Sequence, residues 1–156
     1  MKVIVLGGAG DMGSQTVETL ARCPDVRQIT IADRNVAGAE ALARRLAGVW
    51  PEIVVRPMDA RNHADVVEAL RGHDVAASAL GPFYRFESPL VRAAIEAGVD
   101  YVSICDDWIA AKQVVEELDA PARQQVAASS SGWAPVPDSP IWSWRTWPAR
   151  WTGPVG

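Results

Sequence analysis

The stretch KVIVLGGAGDMG, Lys2 to Gly13, decides the fold. Its first five residues, KVIVL, are an apolar run without strict alternation, the pattern of a parallel strand covered on both faces. Glycines follow at positions 8, 10 and 13, and helical spacing takes over from Met12 to Arg22. Strand, glycine turn and helix in that order place a G-x-G-x-x-G in its structural context. Gly8 then permits the tight turn, Gly10 lets a pyrophosphate approach the backbone, and Gly13 lets helix and strand pack closely, with the anion at the helix N-terminus. A tight turn in an α/β domain that binds no nucleotide is the plainer alternative.

Beyond Gly13 the next informative residue is Asp33, which closes a second apolar run, Ile29 to Asp33. An acid at about this distance from the glycine loop accepts hydrogen bonds from the adenosine ribose and repels a 2′-phosphate. Arg34 beside it pairs with that phosphate or stacks on adenine. The choice between NAD and NADP therefore stays open at this point, and a helix-capping role for Asp33 is the competing reading.

The same alternation continues along the chain. Apolar runs at Ile53 to Pro57, Val75 to Ala79 and Tyr101 to Ile104 are separated by helical segments at Val36 to Ala47, Ala64 to Arg71, Pro89 to Ala97 and Trp108 to about Leu118. Gly48, Gly72 and Gly98 stand just after helical segments, where a left-handed residue ends a helix. This predicts an α/β, doubly wound parallel sheet of Rossmann type with strand order 3-2-1-4-5.

Composition removes several function classes. A net charge of −4 on 156 residues provides no basic surface for a nucleic-acid backbone. No run reaches the roughly 20 apolar residues of a membrane span, and MKVIVLGG is too short for a signal segment. Cys23 and Cys105 fit no metal or disulfide spacing, so a cytoplasmic location and no metal are expected. His63 and His73 lack Ser or Cys neighbours for a nucleophilic triad and are expected at the surface. Asp106 and Asp107 precede a helix at Trp108, where Asp is a favoured cap. Tyr84 falls in a loop, and its packing role outweighs proton donation.

VIVLGGAGDMG, IADRN, GHDVAASALGPF and VRAAIEAGVDYVSICDD together resemble the NAD(P)-binding domain of the saccharopine dehydrogenase family, which includes lysine 6-dehydrogenase and carboxynorspermidine synthase. The likeness runs from Met1 to about Arg123. It implies that Gly8, Gly10, Asp11, Met12 and Gly13 surround the pyrophosphate, Asp33 and Arg34 the ribose, and Asp59 and Ala60 the adenine edge. Leu80, Gly81, Pro82 and Phe83 would pass near the nicotinamide ribose. It further implies hydride transfer between NAD or NADP and an amine or imine carbon of an amino-acid-derived substrate, with the substrate domain missing and the catalytic residues unassigned. A non-catalytic dinucleotide-binding module is the alternative. Gly7, Gly10 and Gly13 also fit a short-chain dehydrogenase, but neither Tyr84 nor Tyr101 has the Lys four residues later that such enzymes need.

The resemblance implies a further strand and a loop like G-L-G-x-x-P-G-x-[ST]-N next, leading into the substrate domain. Instead residues 124–156 form a separate, atypical tail. Trp133, Trp142, Trp144, Trp147 and Trp151 are five of the chain's seven tryptophans, and Pro135, Pro137, Pro140, Pro148 and Pro154 five of its eleven prolines. Reading Ser129 to Trp142 one base earlier allows V-V-V-G-L-G-S-S-P-G-L-T-N-L, the expected strand and loop, which points to a displaced reading frame. The tail is expected to be poorly ordered, because its prolines block a helix or central strand. A bare edge beside Tyr101 to Ile104 then favours self-association. Deleting residues 129–156 should leave dinucleotide affinity within about threefold, roughly 0.7 kcal/mol, by fluorescence titration; abolished binding by a folded remainder would make the tail a functional element.

Overall fold

A computed structural model describes residues 1–129. Residues 130–156, the greater part of the tail expected over 124–156, lie outside the described residues. Strands β1 (Lys2–Leu6), β2 (Gln28–Asp33), β3 (Glu52–Pro57), β4 (Val75–Ser78) and β5 (Asp100–Ser103) alternate with helices α1 (Asp11–Leu20), α2 (Val36–Arg45), α3 (His63–Leu70), α4 (Phe83–Ala97) and α5 (Trp108–Ser129). All strand pairs are parallel, and the order is β3-β2-β1-β4-β5, as the alternation predicts.

Why two layers form is visible in β1. Successive side chains of a strand point to opposite faces, so Val3 and Val5 join α1 and α2 through Val17, Ala39 and Leu42. Ile4 and Leu6 join α3 and α4 through Val66, Leu70, Leu90 and Ala94 on the other face. Pairing register then aligns the strand ends: Leu6 stands beside Ala32 and Ser78, and Ser78 beside Ser103. The carboxyl ends of the strands thus make one edge, with the chain reversing its winding between β1 and β4. Open sheets of this kind bind ligands at that place.

Local chemistry sets the helix limits. The Asn35 side chain accepts from the Gly38 N–H (3.0 Å), and Asp107 accepts from Ile109 (2.9 Å) and Ala110 (3.2 Å), capping α2 and α5. Gly98, left-handed at φ 68°, ends α4.

Two helices depart from the sequence expectation. Helix α4 begins at Phe83, not Pro89, which puts Tyr84 in a helix, not a loop, with its side chain exposed. Pro89 has no N–H for the Arg85 carbonyl, yet Leu90, Val91 and Ala94 are buried and hold the helix in place. Helix α5 continues past Leu118 and Pro121 to Ser129, across the boundary placed after residue 123. Ala110, Val114, Leu118 and Ala122 recur every fourth residue and are all buried, so one stripe carries the helix through its proline.

His73 is also a correction, being half-buried beneath the sheet end and not at the surface. Its Nε2 lies 2.8 Å from the Thr30 hydroxyl and its Nδ1 3.1 Å from the Leu70 carbonyl. The carbonyl accepts only, so Nδ1 donates and Nε2 accepts from Thr30.

Among the described residues no strand pairs with the outer edge of β5, and Val102, Ile104, Trp108 and Ile109 are exposed beside it. Leu70 is fully buried between sheet and helices. Leu70→Ala should lower unfolding free energy by about 2–5 kcal/mol in urea titrations; a loss below about 1 kcal/mol would show that this layer is loosely packed.

Candidate functional site

The site is the carboxyl edge of the sheet, and the glycine loop is its centre. Leaving β1, the chain turns at Gly7, whose φ is +76°. The Gly7 N–H donates to the Ala32 carbonyl (2.9 Å) and the Gly10 N–H to the Gly7 carbonyl (3.1 Å). The left-handed turn is therefore at Gly7, not at Gly8 where the motif alone puts it. Gly8 is constrained by contact instead: a Cβ there would come 2.9 Å from Ile31 Cγ2. At Gly13 a Cβ would stand 2.0 Å from the Gly7 carbonyl oxygen, a backbone clash that no rotamer relieves. At Gly10 a Cβ would lie 3.3 Å from the Gly7 carbonyl oxygen, a tight contact but one that a shift of a few tenths of an ångström relieves, unlike the clash at Gly13.

Gly10 is the N-cap of α1 and has no side chain to satisfy the first turn. The first intrahelical bond runs from the Ser14 N–H to the Gly10 carbonyl (2.8 Å), which leaves the N–H groups of Asp11, Met12 and Gly13 without helical partners. Three free donors at the positive end of a helix form an anion cradle. Asp11 and Met12 are exposed and line its mouth.

Asp33 closes one side. Its Oδ2 accepts from the Ala9 N–H (3.0 Å) and its Oδ1 from the Asn35 N–H (2.8 Å), so the carboxylate joins the glycine loop to the start of α2. It is not the helix cap, since Asn35 fills that position. Each oxygen keeps a lone pair for a hydroxyl group. Arg34 is exposed next to it. Asp59, just after β3, is bound to the Arg61 guanidinium at 2.7 to 3.1 Å. These hydrogen bonds, with the positive charges of Arg61 and Arg34, hold its carboxyl at about 2. Ala60 follows, half-buried against the α3 layer.

The β4 end closes the other side. Leu80 packs so near the loop that a Cβ on Gly7 would lie 3.2 Å from its own Cβ. Gly81 and Pro82 are exposed, their peptide bond is cis, and Pro82 caps α4. The structure thus brings every residue expected at the site to one edge. Gly8, Gly10, Asp11, Met12 and Gly13 are central, Asp33, Arg34, Asp59 and Ala60 lie toward β3, and Leu80, Gly81 and Pro82 lie toward β5.

Sequence reasoning missed a buried polar group at the same edge. Glu87 is only 5% exposed. Its Oε1 accepts from the Ser103 hydroxyl (2.5 Å) and its Oε2 from the Tyr101 hydroxyl (3.2 Å). Burial pushes the Glu87 carboxyl above its ordinary range, and the two hydroxyls oppose that shift. Burial likewise pushes the Tyr101 phenol up strongly and raises the Cys105 thiol. The available signal was spacing: Glu87 stands three, four and seven residues before Leu90, Val91 and Ala94, on the apolar stripe of α4. Asp106 is exposed and Asp107 caps α5. His63 pairs at the surface with Glu96 (2.8 Å). Among the described residues no cluster of His, Cys, Asp and Glu is arranged to hold a metal, and no helix is long and apolar enough to cross a membrane.

Comparison with known proteins agrees with this architecture. The family described as "Saccharopine dehydrogenase NADP binding domain" matches residues 3–133. The chain is 43% identical over 82 residues to 1-deoxy-D-xylulose 5-phosphate reductoisomerase of Rhodospirillum centenum, covering 51% of this chain and 19% of that protein. It is 30% identical over 104 residues to carboxyaminopropylagmatine dehydrogenase of Synechocystis sp., covering 65% and 25%. Apo saccharopine dehydrogenase (L-Glu forming) from Saccharomyces cerevisiae superposes with a TM-score of 0.60 at 26% identity, covering 72% and 23%. The chain therefore spans between 19% and 25% of the lengths of these relatives.

The contrast between two glycines is directly testable. Gly13→Ala should lower the melting temperature by several degrees, corresponding to roughly 1–3 kcal/mol of overpacking. Gly10→Ala should leave melting nearly unchanged while weakening dinucleotide binding at least about tenfold. Equal behaviour of the two variants in calorimetry would contradict the loop geometry.

Proposed function

The chain belongs to the saccharopine dehydrogenase family through its NADP-binding domain, and from that premise we propose that it is the cofactor-binding part of an NAD(P)-dependent oxidoreductase. The observation that carries this reading is the free first turn of α1 above the Gly7–Gly13 contact, flanked by Asp33 on one side and Leu80 on the other. A pyrophosphate fits there because its oxygens replace the missing acceptors of three N–H groups, and because Gly10 leaves room for it. The bound nicotinamide would supply a hydride. The chain's own work is to orient it, with the adenosine toward Asp33, Arg34, Asp59 and Ala60 and the nicotinamide ribose toward Leu80, Gly81 and Pro82.

The substrate we infer is an amine or imine of an amino-acid-derived compound, accepted by residues of a longer protein. Support comes from the family and from the names of the relatives from Synechocystis and Saccharomyces cerevisiae. Turnover separates this reading from a module that binds dinucleotide without catalysis. The free cysteines Cys23 and Cys105 suit a reducing, cytoplasmic setting. The exposed apolar residues along β5 favour contact with further chain or with a second copy.

For the cofactor, we infer a preference for NAD(H). The Asp33 carboxylate is fixed by two backbone N–H groups and points a negative charge where a 2′-phosphate would lie, and Arg34 only partly offsets it. NADH should bind more tightly than NADPH in fluorescence titrations of the whole chain. Asp33→Ser should move the ratio toward NADPH by at least about tenfold, roughly 1.4 kcal/mol. Tighter NADPH binding by the unaltered chain would overturn the preference, and failure to bind either would overturn the function.

A further inference from the structure

Glu87 takes no part in cradling an anion, yet it is tied to β5 and to the loop leaving it, on the proposed nicotinamide side. Its Oε1 accepts from Ser103, whose hydroxyl oxygen in turn accepts from the Cys105 N–H (3.3 Å). That second bond shapes the turn leaving β5 toward Asp106 and Asp107. Its Oε2 accepts from Tyr101. On the neighbouring strand the Ser78 oxygen accepts from the Leu80 N–H (3.4 Å), shaping the turn leaving β4. Ser78 and Ser103 are register partners at the last position of adjacent strands. One carboxylate on α4 therefore holds two hydroxyls of β5 and, through Ser103, the loop that follows it.

We propose that Glu87 is a positioning residue for the nicotinamide end of the dinucleotide, acting through Tyr101 and Ser103 on the end of β5 and the loop 104–107 that leaves it. The inference rests on the dinucleotide reading above. It concerns only the nicotinamide ring, beyond the second ribose.

Stability alone does not account for a carboxylate here. Its folded-state pKa lies above the ordinary value because burial outweighs the two hydroxyl donors. A group shifted in that direction supports folding most at low pH, and the support is lost as pH rises through its folded pKa. Ionising this buried side chain therefore works against folding, and a neutral residue of the same shape would pack at least as well. The groups facing it are the Tyr101 and Ser103 hydroxyls from β5 and the Cys105 thiol from the following loop, on which Glu87, Asp106 and Asp107 all act.

The test compares NADH with ADP-ribose, which has the adenosine and pyrophosphate but no nicotinamide. In Glu87→Gln, NADH affinity should fall about tenfold, ADP-ribose affinity should stay within about twofold, and the melting temperature should hold or rise. Ser103→Ala, which cuts one arm and leaves Glu87 in place, should show the same asymmetry to a smaller degree. Equal loss of both ligands, or a fall in melting temperature that accounts for the loss of NADH, would overturn the proposal and make Glu87 a structural pin. If the unaltered chain binds ADP-ribose as tightly as NADH, the nicotinamide end is not held and the proposal fails, while the adenosine and pyrophosphate reading stands. If it binds neither, the dinucleotide reading itself is wrong.

Discussion

Helix α1 approaches the end of β1 so closely that a single methyl group at residue 13 would stand 2.0 Å from the Gly7 carbonyl oxygen. Much else follows from this approach. It brings the N-terminus of the helix over the carboxyl edge of the sheet, so that unpaired N–H groups collect where the winding of the chain reverses. It also keeps the loop short, because Gly7 must turn left-handed to deliver the chain into the helix. A bulkier contact would displace α1 outward and open the layer formed by Val5, Val17 and Ile31.

Around this contact the edge divides into two unlike halves. Toward β3 the groups are charged and largely exposed, with Asp59 and Arg61 paired at the surface, where such pairs contribute little to stability. Toward β5 the Tyr101 and Ser103 hydroxyls gather around one buried carboxylate, with Asp106 exposed in the loop beyond. A molecule lying across the edge would meet an exposed charged pair at one end and a hydrogen-bonded group of hydroxyls at the other.

How much of this was legible in the sequence depended on which force sets each feature. The strands of the sheet could be read because burial on both faces leaves unbroken apolar runs such as KVIVL. The glycine loop could be read because steric exclusion leaves glycine as the sole choice at Gly13. The limits of α4 and α5 could not, because Pro89 and Pro121 are local stop signals that tertiary burial overrides through Leu90, Leu118 and Ala122. Moving the start of α4 back to Phe83 is what places Glu87 on a buried face, so the missed helix turn and the missed carboxylate are one error. The position of the left-handed turn at Gly7 rather than Gly8 was hidden because adjacent glycines look alike until the Ile31 side chain is in place.

Asp33 has a consequence of another kind. Its two oxygens are shared between the glycine loop, through Ala9, and the entry to α2, through Asn35. In the proposed dinucleotide reading the same atoms would also face the ribose. If Asp33 sets cofactor choice as proposed, choice and loop architecture share one side chain, and a change of preference there is not a single, independent step. Lineages or engineers that exchange the acid must also find another acceptor for the Ala9 N–H, and the order in which these changes arise would decide which intermediates remain folded.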